Sequence, residues 1–340
     1  MSHPFIAEKF LMEFLLGLLP VCAFLAALYF LDSYKLVPYG TLFTSLGAGC
    51  LAAVLAYPVN VLLMQVLWLP FDAFSRYVAP LTEETLKATF LISLLINRRT
   101  GFLVDSAIHG FAIGTGFALV ENAAYILALG SATPLLWLVR GFGTAMMHGA
   151  TTSIAAIIGK SLSDRSASPG MFTLLPGIGV AIILHSTFNH FFLPAVASTL
   201  FLVLAFPVMM SAVFIRSERA TQRWLGVGFD SDRELLEMLT SGRLGETRIG
   251  QYFGSLQKRF RGEVLADMLC LLRLHLELAI AAKGLLLMRE SGFEVPGDPE
   301  WRERFTEIEF LEKSVGATGL LALVPFIHTG KAQLKEILRV

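Results

Sequence analysis

Seven stretches of this chain, one of them short, are apolar for long enough to cross about 30 Å of hydrocarbon. They lie near 10–31, 42–68, 82–97, 102–128, 133–159, 172–192 and 195–215. Backbone groups at membrane depth must bond to one another, so each stretch is predicted as a helix. The fold class that follows is all-α, a polytopic transmembrane bundle of about seven spans. With 55% apolar and 16% charged side chains, an ordinary soluble domain is excluded for the chain as a whole. Charge is unevenly spread, and roughly two-thirds of it follows Arg216. Residues 1–215 therefore read as a transmembrane domain and 216–340 as a soluble helical domain.

Basic residues set the expected orientation. Lys35, the pair Arg98/Arg99, Lys160 with Arg165, and the cluster Arg216, Arg219, Arg223 fall in alternate connections. Seven spans place all of them on one side, which makes that side cytoplasmic and the tail with it. The run Leu15–Asp32 shows no small-residue cleavage site and is expected to stay as the first span. A net charge of zero gives no electrostatic case for a nucleic-acid partner. Cys22, Cys50 and Cys270 have neither framework nor metal-ligand spacing, so no disulfide is expected.

The tail reads as charged helices. Ser231 to Glu234 has the spacing of a helix cap, Arg273 and Glu277 are one turn apart, and Pro296-Gly297-Asp298-Pro299 separates two helices. Val315–Ile327 is apolar but short and contains Pro325, so packing is expected there rather than spanning. The tail carries no catalytic motif, which leaves regulation, self-association or partner binding as its expected work.

Four polar clusters interrupt the spans. Glu83-Glu84-Thr85-Leu86-Lys87 opens the third, with Lys87 one turn from Glu83 and able to neutralise a carboxylate. Glu121-Asn122 lies in the fourth, where Gly110, Gly114, Phe117, Glu121 and Tyr125 share a face that admits a neighbouring helix. Arg140, Thr144, His148 and Thr151 or Thr152 share a face of the fifth, and Arg140 needs a carboxylate partner. His185 and Asn189 stand one turn apart in the sixth. Each cluster also has a structural reading, as a solvated helix start, a paired ion or a packed histidine. At 1.5 Å per residue, Glu83, Glu84, Glu121 and His185 all fall within roughly 10 Å of the outer boundary, so they can meet. Three carboxylates against Lys87 and Arg140 leave negative charge that a proton or a bound cation must offset.

These motifs resemble those of the PrsW intramembrane proteases, distant relatives of the CAAX prenyl endopeptidases. The likeness rests on Glu83-Glu84-Thr85-Leu86-Lys87, Gly116-Phe117-Ala118-Leu119-Val120-Glu121-Asn122, His148 and His185-Ser-Thr-Phe-Asn189, and covers roughly residues 80 to 190. Glu121 stands where the prenyl endopeptidases have histidine, which argues against prenylated substrates. The resemblance implies an intramembrane endopeptidase with Glu83, Glu84, Glu121, His148, His185 and Asn189 catalytic and Lys87, Asn122 and Arg140 in support. Glu83, backed by Glu84, would activate water, Glu121 or His148 would hold it, and His185 and Asn189 would face the oxyanion. A glutamate-type reaction needs no cofactor; in the second-ranked version Glu121, His148 and His185 are ligands for zinc. The implied setting is the bacterial cytoplasmic (inner) membrane, and the implied substrate a single-span membrane protein such as an anti-sigma factor, cut near the outer face. An ion-coupled transporter or a catalytically inactive peptide-binding sensor are the competing readings.

Overall fold

The computed structural model describes residues 3–32, 37–96, 102–129, 132–165, 171–241, 245, 247–291, 293, 298–327 and 329–338. Among them there is no strand, and the fold is all-α as expected. Helix α1 spans His3–Leu31 and α2 Tyr39–Leu67; a short α3 (Phe71–Ala73) runs through a π turn (Phe74–Val78) into α4 (Ala79–Ile96). After α5 (Leu103–Leu129), a short α6 (Pro134–Leu138) runs through a second π turn (Val139–Thr144) into α7 (Ala145–Asp164). Then come α8 (Met171–Asn189), α9 (Ala195–Thr240), α10 (Arg248–Leu256), α11 (Gly262–Glu290), α12 (Glu300–Leu323) and α13 (Lys331–Leu338). The chain divides into two compact units, Met1–Ser217 and Glu218–Val340.

In the first unit, five segments are long and apolar enough to cross a membrane: Leu11–Leu31, Tyr39–Leu67, Leu103–Leu129, Met171–Asn189 and Ala195–Arg219. Length and composition thus support five spans where seven were expected. The two that fall short are α4, which carries Glu83, Glu84 and Lys87, and α7, which carries His148, Thr151, Thr152, Ser153 and Lys160. Their polar residues are the ones that face the interior of the bundle: Glu84, Lys87, His148, Thr151, Thr152 and Ser153 are all buried. Lys35, Arg98 and Arg99, on which the orientation argument draws, lie outside the described residues.

Helix α5 is the axis of this unit. Every residue from Val104 to Ala118 is buried, which a helix achieves only when neighbours cover all its sides. Its glycine face meets α7, and a Cβ at Gly114 would strike the carbonyl of His148, so the backbones touch. The expected approach of a neighbour along that face is therefore made. A second close contact joins α1 to the second π turn, where a Cβ at Gly141 would strike the carbonyl of Leu16. Pro20 lacks the N–H that would bond that carbonyl within α1, which leaves it open to the contact. Around α5 the core is apolar and aromatic, with Phe24, Phe111 and Phe206 at centroid separations of 5.0 to 5.5 Å.

The second unit packs around α11. Leu271, Leu272, Leu278, Ala282 and Leu286 of α11 are fully buried, with Ile308 of α12 and Leu334, Ile337 and Leu338 of α13. Arg273 and Glu277 make the expected one-turn contact, Nε to Oε1 at 2.8 Å. Val315, Gly319 and Leu323 are buried, so the apolar stretch near 315–327 packs as expected. Ser231 does not cap a helix: α9 continues through it to Thr240, and its hydroxyl donates to the Gly228 carbonyl at 3.2 Å. Helix α12 opens after Pro299 with the Asp298 carboxylate accepting from the Glu300 N–H at 3.0 Å, while Pro296 and Gly297 lie outside the described residues.

Candidate active site

Helix α4 presents Glu83 and Glu84 as neighbours, so the two side chains leave it about 100° apart. Glu84 turns inward. Its Oε1 accepts from three directions: Lys87 Nζ at 2.6 Å, His185 Nδ1 of α8 at 2.8 Å and Thr151 Oγ1 of α7 at 3.2 Å. A carboxylate oxygen accepts, so His185 carries its proton on Nδ1. Its Nε2 faces Glu83 Oε2 at 3.9 Å. Lys87 thus neutralises Glu84, three residues away, rather than Glu83. Glu83 Oε1 accepts from Asn60 Nδ2 of α2 at 3.1 Å, and Thr82 Oγ1 donates to the Asn60 carbonyl oxygen. Among the described residues no Lys or Arg pairs with Glu83.

His148 is held on both sides. An ammonium group only donates, so Lys87 Nζ, at 3.1 Å, fixes Nδ1 as the bare nitrogen, and Nε2–H donates to Glu121 Oε2 at 3.0 Å. Lys87 also sits 4.7 Å above the Phe117 ring. Arg140 reaches the same carboxylate, Nη2 lying 3.4 Å from Glu121 Oε2. Its Nε donates to Asn122 Oδ1 at 2.9 Å, and its plane lies 3.7 Å over the Tyr125 ring. Asn122 in turn donates to the Gly17 carbonyl of α1 at 2.7 Å.

The π turn explains how Arg140 and His148 reach one carboxylate. Eight residues of regular α-helix overshoot two turns by about 80°. The i→i+5 bonds of residues 139–144 absorb an extra residue and bring the two side chains back into phase. The first π turn acts on α8 instead. Its carbonyls at Ser75 and Arg76 accept from Asn189 Nδ2 at 2.9 Å and Ser186 Oγ at 2.7 Å. Of the nine residues singled out in the sequence, the structure links Glu83, Glu84, Lys87, Glu121, Asn122, Arg140, His148 and His185. It does not bring the Asn189 amide into that network. Asn60 and Thr82 were missed, although an Asn in an apolar stretch two residues past Pro58 was a signal that could have found one of them.

Glu83, His148 and His185 form a group whose ligand atoms all lie within 4.8 Å of one another. One carboxylate with two imidazoles is a zinc-type donor set. Here Glu83 takes the place expected of Glu121, which faces His148 and Arg140. His185 suits the role, because the second nitrogen of a ligating histidine is commonly held by a carboxylate and Glu84 does so here. His148 contributes one of its ring nitrogens to the same group. The residues present therefore fit a divalent ion.

Comparison with known proteins bears on the same region. The sequence model described as PrsW family intramembrane metalloprotease matches residues 37–215, which contain every residue named for the site except Gly17. No curated protein and no solved structure matches the chain.

Proposed function

The chain belongs to the PrsW family of intramembrane metalloproteases, and from that membership we propose that Glu83, His148 and His185 hold the water it adds across a peptide bond of a membrane-protein substrate. The observation that carries this is the charge pattern. Lys87 pairs with Glu84 and Arg140 with Glu121, which leaves Glu83 without a Lys or Arg partner among the described residues, 3.9 Å from His185 Nε2. Such a carboxylate is suited to take a proton or to bind a cation.

Water lying between Glu83 Oε2 and His185 Nε2 is poised for attack. As its oxygen bonds to the peptide carbonyl carbon, its proton passes to Glu83 and the π pair moves onto the carbonyl oxygen. When the tetrahedral species collapses, Glu83 returns the proton to the amide nitrogen and the C–N bond breaks, giving a carboxylic acid and an amine. If an ion such as zinc is bound, Glu83, His148 and His185 hold it, and it supplies a more acidic water and a polarised carbonyl.

Our reading places the cut near the outer end of a single-span substrate, in regulated proteolysis of the anti-sigma-factor kind, with the protein in a bacterial inner membrane and its tail cytoplasmic. The alternating basic connections and the family resemblance support this. Thiol labelling of intact cells from single cysteines at Ser131 and Ser217 tests the side: Ser131 should react and Ser217 should not. For the chemistry, purified protein in micelles should cleave a quenched-fluorescent single-span peptide, and Glu83→Gln should lose about 100- to 10,000-fold of the rate. Loss of activity on chelation with recovery on adding zinc assigns the ion, whereas indifference to chelation assigns a glutamate-only reaction. Absence of cleavage by the wild type would refute the proteolytic reading.

A further inference from the structure

Hydrolysis of a peptide bond puts negative charge on the carbonyl oxygen, and a hydrogen-bond donor has to meet it there. We infer that this donor is Nη2 of Arg140, a role that rests on the proteolytic reading above. Each donor expected from the sequence already serves a protein acceptor. The Nδ1–H of His185 is held by Glu84 at 2.8 Å. The Asn189 amide donates to the Ser75 carbonyl at 2.9 Å. Lys87 Nζ is bound by Glu84 and His148, and the Nε2–H of His148 by Glu121.

Arg140 Nη2 is different. It is buried and makes no hydrogen bond, and among the described buried side-chain atoms in that condition it is the one that belongs to the site. It lies 3.4 Å from Glu121 Oε2, the oxygen that also accepts from His148. Beyond this ion-pair contact Nη2 has no hydrogen-bond acceptor, and a buried donor in that condition is costly, so a partner that arrives later is called for.

The guanidinium is also held so that it need not reorganise. Asn122 Oδ1 fixes Nε at 2.9 Å, Tyr125 supports the plane at 3.7 Å, and Asn122 is itself anchored at 2.7 Å to the Gly17 carbonyl of α1. Arginine stays charged at any working pH, so it donates a hydrogen bond to the oxyanion without giving up a proton. In the attack step the electron pair displaced from the C=O bond rests on oxygen beside Nη2. When the C–N bond breaks, that pair reforms the carbonyl and the hydrogen bond is released. Arg140 is then a catalytic residue rather than only a counter-ion for Glu121.

The test compares the wild type with Arg140→Lys, Arg140→Gln and Arg140→Ala on the quenched single-span peptide, with thermal unfolding of each variant in the same micelles. For Gln and Ala, kcat should fall about 100- to 1,000-fold while KM changes by no more than a few-fold. Lysine should recover only part, because it keeps the charge but not the fork. Sub-denaturing guanidinium ion should restore turnover to Arg140→Ala and not to Glu83→Gln, an outcome that a purely structural arginine does not give. A folded Arg140→Gln with kcat near wild type, or a loss confined to KM or to melting temperature, overturns the assignment. Should Ala and Gln fail to fold, Arg140→Lys decides: a folded lysine variant with kcat near wild type overturns it. If the wild type itself does not cleave, the proteolytic reading fails, and this assignment with it.

Discussion

Asn60 shows what a single side chain contributes to this site and why it was hard to find. Its amide donates to Glu83 Oε1 at 3.1 Å while its carbonyl oxygen accepts from Thr82, so the free oxygen of Glu83 is aimed at His185. Asn60→Leu should lower activity about 10- to 100-fold, the usual cost of removing a group that orients a reacting one. Steady-state kinetics alongside thermal unfolding checks this, and an unchanged kcat would show that Glu83 needs no such guide. The charged members of the site were legible because an ionisable group in an apolar stretch demands a reason. Asn60 is neutral, and its partners lie 22 and 23 residues along the chain, so no local spacing marks it. The opposite error applies to Asn189, whose one-turn spacing from His185 is plain in the sequence but whose amide is taken by a carbonyl of another helix.

Among the elements, the helices themselves were legible and their irregularities were not. Apolar length located the helices of the first unit, and the glycine face of α5 correctly announced its contact with α7. Hydropathy and a period of 3.6 residues carry no trace of a π turn, yet residues 139–144 set the phase that brings Arg140 and His148 to Glu121. Deleting Phe142, which is exposed and outside the hydrogen-bonded network, would restore the α register with Arg140 and His148 seven residues apart, about 20° short of two turns and still in phase, so cleavage should survive. Inserting one alanine after Phe142 should instead rotate His148 by about 100° against Arg140, and cleavage should drop below detection while helix content, read by circular dichroism, stays near that of the wild type. Normal cleavage by the insertion would show that the π turn does not set the site. Length and composition mark five segments and leave the count of seven unconfirmed, since α4 and α7 carry polar residues that their neighbours bury.

At the scale of the whole molecule, polar groups inside each unit are tolerated by pairing. In the second unit Lys283 is fully buried with its Nζ 2.7 Å from Asp232 Oδ2. Lys283→Met should destabilise that unit by about 3 to 5 kcal/mol by stranding a buried carboxylate, and adding Asp232→Asn should recover much of the loss. Denaturant unfolding of the full chain, followed by hydrogen exchange in α11, checks both. In the first unit the pairing converges further, since a single oxygen of Glu84 accepts from α4, α7 and α8 at once. Three helices that are distant in sequence thus answer to one atom. Substitutions at Lys87, Thr151 and His185 are therefore not independent events, because each changes the acceptor the other two depend on, and their measured costs will not add. A lineage of such proteins can drift freely at lipid-facing positions, but these four residues must be inherited, or exchanged, as a set.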